Sequence, residues 1–151
     1  MFKIMWKSTH SQCINDLSAQ QIWDVLSAVN SWSEWQADIE YAKLEYEFKA
    51  GNQIRFKPRG VPEVKIKILE TKIETERMVF LDSTSFPLTK MYDLHEIIIH
   101  PNKIEIKNTI WTSGILSPLW RKLLINNIAS GIASQTDNMI KYARTKFLES
   151  K

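Results

Sequence analysis

The sequence predicts an α+β fold, in which a curved antiparallel sheet of about seven strands wraps a long C-terminal helix, with two short helices after the first strand. Three observations carry this expectation. Through the middle of the chain, apolar residues recur at every second position, the period of half-buried strands. From about Leu116 to Glu149 they recur at helical spacing. Between the first strand and the sheet, a capping pattern and paired tryptophans mark short helical turns. A strand-rich middle framed by helices is the pattern of an α+β domain with an antiparallel sheet. The 151 residues predict one domain over 1–151.

The first strand is expected from Phe2 to Cys13, with Phe2, Ile4 and Trp6 alternating before a polar second half. Ser18 with Gln21 three residues on forms a capping box, and Ile22, Trp23, Leu26 and Val29 follow at helical spacing, which predicts a helix from Ala19 to Val29. Asn30-Ser31 breaks it. Ser31 then caps a short turn that holds Trp32 and Trp35. Ala42, Leu44, Tyr46 and Phe48 alternate with polar residues and predict a strand that ends at the Ala50-Gly51-Asn52 turn. Ile54 and Phe56 continue the sheet until Pro58-Arg59-Gly60-Val61-Pro62. Val64, Ile66 and Ile68 alternate, and then the apolar phase slips to Leu69 and Ile73, the mark of a bulge.

Glu74-Thr75-Glu76-Arg77 turns the chain into a strand from Met78 to Ser83. Thr89–His100 and Lys103–Thr112 form a hairpin about Pro101-Asn102, with Ile104, Ile106, Asn108 and Ile110 on the apolar face of the second strand. The last helix carries a stripe that includes Leu119, Trp120, Leu123, Leu124, Asn127, Ile128, Gly131, Ile132, Gln135, Met139, Tyr142 and Ala143. It would be about 50 Å long at its rise per residue. Ser117-Pro118 stands at its start, and Gly131, in its middle, predicts a kink or a close approach to the sheet.

Composition narrows the function. Cys13 is the only cysteine, so neither an intrachain disulfide nor a thiolate zinc cluster is expected. A free thiol and the lack of a signal-like apolar run between Met1 and Asn15 predict a cytoplasmic protein. No apolar stretch reaches membrane-spanning length, so no stable membrane insertion is expected. A net charge of +3 with scattered basic residues gives no reason to expect nucleic acid. The histidines His10, His95 and His100 lack paired ligand spacing, so no metal is expected. Neither a phosphate-cradling Gly-rich loop nor a Gly-x-Ser-x-Gly elbow is present, and no cofactor is expected. Six tryptophans supply large apolar walls with one polar tip each.

A long helix on a curved sheet leaves a space between them that becomes either core or cavity. Trp32, Trp35, Phe86 and Trp120 fall near its expected mouth.

The run Ile22-Trp23-Asp24-Val25-Leu26-Ser27-Ala28-Val29-Asn30-Ser31-Trp32-Ser33-Glu34-Trp35 resembles the helix-and-tryptophan signature of the polyketide cyclase/dehydrase and lipid-transport superfamily (SRPBCC). That group includes START domains, birch-pollen allergens and activators of the heat-shock ATPase. Ala42-Lys43-Leu44-Glu45 leading to Gly51, and the amphipathic C-terminal helix, are similar as well. The resemblance implies the helix-grip fold and the binding of an apolar small molecule. Cyclisation of aromatic rings also occurs among its members.

Three functions follow as expectations. In the first, the chain binds a hydrophobic, lipid-like or aromatic molecule between sheet and helix. Its walls would be Trp32, Trp35, Phe56, Phe80, Tyr92, Asn108, Trp120, Leu124 and Ile128. Apolar faces on nearly every element, with no catalytic constellation, favour this reading over catalysis. In the second, the chain is a cyclase or dehydratase in which Asp93 and His95 handle protons, because His titrates near neutrality and a carboxylate orients it. That reading needs Met91, Asp93, His95, Ile97 and Ile99 to face inward; the other register puts Tyr92, Leu94, Glu96 and Ile98 there, and periodicity does not decide. In the third, the chain is a protein-interaction module with a filled core and a partner the sequence does not identify. Trp32 and Trp35 serve either as packing or as a rim. Asn108 either anchors a ligand carbonyl or hydroxyl or satisfies a bulge or a water.

Overall fold

Strand β1, Lys7–Ile14, opens the computed structural model, which describes residues 6–149. Helix α1, Ala19–Ser27, and a 3-10 helix, Val29–Glu34, follow. Six strands come next: β2 Ile39–Lys43, β3 Gln53–Pro58, β4 Val64–Ile73, β5 Arg77–Phe86, β6 Thr89–Ile99 and β7 Ile104–Ser113. They form one curved antiparallel sheet in the order β1-β7-β6-β5-β4-β3-β2. Register slips between Ile39 and Tyr41 and between Ile68 and Glu70. The second slip lies where the apolar phase of β4 shifts, and both bend the sheet.

The capping box at Ser18 forms: its hydroxyl accepts from the Gln21 backbone at 3.1 Å, and the Gln21 side chain accepts from the Ser18 backbone at 3.0 Å. Helix α1 ends two residues before Val29, and the next turn starts without a side-chain cap, so Ser31 is not its cap. The strand expected through Phe48 stops at Lys43. Asn30 takes over the Leu44 backbone there, accepting from its N–H at 3.0 Å and donating to its carbonyl at 3.2 Å. Phe48 then turns inward against Trp23 and Phe80, with centroids 5.7 and 4.7 Å away. The first part of the expected N-terminal strand, residues 2–5, lies outside the described residues.

The last helix is built from α2, Ser117–Trp120, a π-turn at Arg121–Ile125, and α3, Asn126–Phe147. Backbone angles stay right-handed helical across both junctions. The π-turn adds a residue and rotates the apolar stripe. The buried positions are therefore Ile125, Ile132, Thr136, Met139, Ile140 and Ala143, whereas Leu119, Leu123, Asn127 and Gln135 of the expected stripe are exposed. Gly131 faces open space and makes no close approach to the sheet. Arg144 anchors the far end of α3 with a two-pronged bond to Asp16, at 2.7 and 3.2 Å. Gln12 of β1 donates to Asp137 at 3.0 Å. No helix among the described residues is long and apolar enough to cross a membrane.

Between sheet and helix lie two apolar clusters. The larger joins Ile22, Val25 and Leu26 of α1 to Trp32, Phe80, Ile97, Ile106, Met139 and Ala143. The smaller is Met91, Ile110, Ile125 and Ile132, flanked by Trp6, Phe86, Trp120 and Ile128.

Candidate functional site

The inner face of each central strand runs apolar, polar, apolar. On β6, Asp93 and His95 separate Met91 of the smaller cluster from Ile97 of the larger. On β7, Asn108 separates Ile110 from Ile106. On β5, Asp82 follows Phe80. Antiparallel pairing sets these residues side by side: Asp82 opposite Asp93, Phe80 opposite His95, and His95 opposite Asn108. The inward face of β6 is thus the one carrying Asp93 and His95. Across the sheet, Tyr92 stacks on Trp111 at 5.3 Å, and Glu96 accepts from Arg77 at 2.7 Å.

The four side chains form one network. His95 Nε2 donates to Asp82 Oδ2 at 3.1 Å and stands 3.4 Å from Asp93 Oδ2. Asn108 Nδ2 donates to Asp93 Oδ1 at 3.2 Å and to His95 Nδ1 at 2.8 Å. In this arrangement the neutral imidazole carries its proton on Nε2. The His95 ring lies flat on Phe80, with centroids 4.6 Å apart and planes 10° from parallel. Phe80 is fully buried, and Asp82 is 5% exposed.

Burial pushes the Asp82 carboxyl up to about 6, with the Asp93 charge adding to the rise and the His95 hydrogen bond opposing it. Burial alone would lower His95, but Asp93 beside it and the bond to Asp82 outweigh burial and raise it. Asp82 and His95 therefore titrate as a linked pair. Asp82, Asp93 and His95 each bring a ligand atom within 4.8 Å of the others, a spacing that suits a divalent cation. The Asn108 donation to Nδ1 opposes that use, because it leaves the Nε2 lone pair occupied by a proton.

The expected wall residues separate into groups. Trp32, Trp35, Phe56 and Phe80 pack on one another in the larger cluster, with Trp32 6.5 Å from Trp35, 6.4 Å from Phe56 and 6.5 Å from Phe80. The Trp32 indole donates to the Leu26 carbonyl at 2.9 Å, which ties the 3-10 helix to α1. Trp120 and Ile128 belong to the smaller cluster, where Trp120 stacks on Phe86 at 5.0 Å. Leu124 is half-buried in the π-turn. Tyr92 lies on the opposite face of the sheet, because it alternates with Asp93 and Met91 along β6. Asp82 escaped the sequence reading. Its signal was the two-residue turn Pro87-Leu88, which pairs Phe86 with Thr89 and so sets Asp82 against Asp93. A surface groove of about 570 Å³, lined by Glu45, Tyr46, Glu47, Lys49 and Asn52, shares no residue with the cluster.

No protein-family model matches the chain, and no curated protein does. Solved structures do. The hypothetical protein jhp0584 from Helicobacter pylori aligns with a TM-score of 0.74 at 13% identity, over 95% of this chain and 98% of that one. Norcoclaurine synthase from Thalictrum flavum, in complex with dopamine and hydroxybenzaldehyde, aligns at 0.68 and 16% identity, over 97% and 88%. Ara h 8.0201 aligns at 0.68 and 10% identity, over 93% and 99%. At such identities the likeness is one of fold, and the chain has the helix-grip architecture.

Proposed function

We propose that this helix-grip chain binds a small apolar molecule, aromatic or lipid-like, against the inner face of β5, β6 and β7, with Asp82, Asp93, His95 and Asn108 holding its polar group. The observation that carries the reading is the place of the cluster, a polar band between two apolar ones on the sheet face that the helix covers. A core built for stability alone gains little from two carboxylates facing each other, because burying charge is costly. A ligand site needs such an arrangement: apolar walls for affinity and a few convergent polar groups for orientation. The fold relative that holds dopamine and hydroxybenzaldehyde supports a small aromatic bearing a hydroxyl or carbonyl as the ligand class.

A second reading adds proton transfer on the bound molecule. Asp82, raised to about 6, favours it, because a buried acid poised near neutrality exchanges a proton readily. Asp82 would exchange the proton with the ligand, and His95 would support it through the Nε2–H bond. Asn108, donating to Nδ1, would keep the imidazole proton on Nε2 facing Asp82.

Calorimetric titration with 4-hydroxybenzaldehyde tests the binding reading. The expected result is saturable binding that weakens about tenfold or more in Asp82→Asn and in His95→Gln. Equal binding by the parent and both folded variants would remove the cluster from the site.

A further inference from the structure

We infer that the end of the molecule formed by the β5–β6 turn and the start of the long helix is a docking surface for an anionic lipid bilayer. Four large aliphatic side chains stand exposed there: Leu88 at 63%, Ile115 at 80%, Leu119 at 47% and Leu123 at 60%. The turn that carries Leu88 is joined to the segment that carries the other three. The Leu116 N–H donates to the Leu88 carbonyl at 3.3 Å, and the Trp120 indole donates to the Pro87 carbonyl at 3.0 Å. Gly114 lies so close that a Cβ there would come 2.3 Å from the Leu88 oxygen. Leu119 and Leu123 follow one turn apart on the helix. Clustered exposed apolar side chains of this kind mark an interaction site.

Leu88 carries a second sign. Its φ of 53° places a bulky side chain in the left-handed region, where glycine or asparagine fits at less strain. A strained, exposed leucine at a hairpin tip contributes nothing evident to the fold.

Charge selects the occupant. Residues 83–92 and 111–136 contain Lys90, Arg121 and Lys122 but no Asp or Glu, in a chain with 17 acidic residues. Lys90 and Lys122 are exposed. Aliphatic tips that enter the acyl boundary, flanked by lysines that meet headgroup phosphates, are the composition of a peripheral bilayer contact. A second copy of the chain fits poorly, because a two-fold contact through this patch would oppose its own lysines.

Co-sedimentation of the full chain with vesicles tests the inference. Phosphatidylcholine vesicles containing about a third phosphatidylserine are expected to bind it in a salt-sensitive way, and pure phosphatidylcholine vesicles are not. Lys90→Glu and Lys122→Glu are each expected to weaken binding about fivefold or more. Leu88→Asn suits the left-handed backbone, so it should fold at least as stably as the parent and yet bind vesicles less. Three results would overturn the inference: no sedimentation with anionic vesicles, binding unchanged in folded Leu88→Asn and Leu119→Ser/Leu123→Ser proteins, or a concentration-dependent dimer that these substitutions abolish.

Discussion

Asp82 and Asp93 stand directly opposite each other on neighbouring strands, and the His95 Nε2 nitrogen lies 3.1 Å from a carboxylate oxygen of the first and 3.4 Å from one of the second. Like charges placed across a strand pair repel. Here the imidazole of His95 stands between the two carboxylates, and the balance at Asp82 makes the fold respond to pH. The folded pKa of Asp82, about 6, is above its ordinary 3.8, so the folded chain holds this proton longer than the unfolded one. Stability from this group is present below about 4 and is lost as pH rises through about 6. His95, also raised, adds stability at low pH that is lost as pH climbs through its folded value. The expected outcome is that Asp82→Asn gains stability relative to the parent on going from pH 4 to pH 8, by about 2–3 kcal/mol. Chemical denaturation of both proteins at several pH values checks it. A difference that stays constant across that range contradicts the coupling.

His95→Ala leaves two facing carboxylates without their common partner. It also removes the ring that stacks on Phe80. A loss of about 3–5 kcal/mol near neutral pH is expected. Adding Asp93→Asn to that variant should recover part of the loss, because it removes one of the stranded charges. Denaturant titration of the single and double variants measures both effects.

Asn108 dictates the tautomer of His95. Its amide donates to Nδ1 at 2.8 Å while also donating to Asp93. The neutral imidazole should therefore show the Nε2–H form in long-range nitrogen–proton NMR spectra at high pH. Asn108→Leu is expected to abolish that preference and to cost about 1–3 kcal/mol, because Asp93 and His95 each lose a partner. A dominant Nδ1–H form in the parent protein would contradict the assignment.

At the other end of the chain, the Ser18 cap offers a test that is independent of the site. Ser18→Ala removes the hydroxyl that accepts from the Gln21 backbone. It should destabilise the protein by about 1 kcal/mol and leave ligand binding unchanged.

Much of this fold was legible because it rests on local rules. The capping box, the bulge in β4 and the hairpin about Pro101-Asn102 could each be read from a few neighbouring residues. The errors arose where a distant group overrode the pattern. Asn30 captured the Leu44 backbone and ended β2 early. The π-turn at Arg121–Ile125 rotated the helix stripe, so a face assigned from a constant period missed Ile125, Thr136 and Ile140.

The site was half legible for the same reason. Asp93, His95 and Asn108 were candidates from alternation, but both faces of β6 mix polar and apolar residues, so Tyr92 was placed with them. Asp82 required the β5–β6 register. The turn that sets it holds Pro87 and Leu88 and lacks the glycine or asparagine that would have announced a two-residue hairpin.

The most direct test is the set of nuclear Overhauser contacts from bound 4-hydroxybenzaldehyde to the protein. Contacts from its ring protons to the His95 imidazole and the Asn108 side-chain amide are predicted, together with contacts to apolar groups of the flanking clusters such as Ile106 or Ile110. Contacts confined to the Tyr92–Trp111 face, or to the groove between Glu45 and Asn52, would contradict the account.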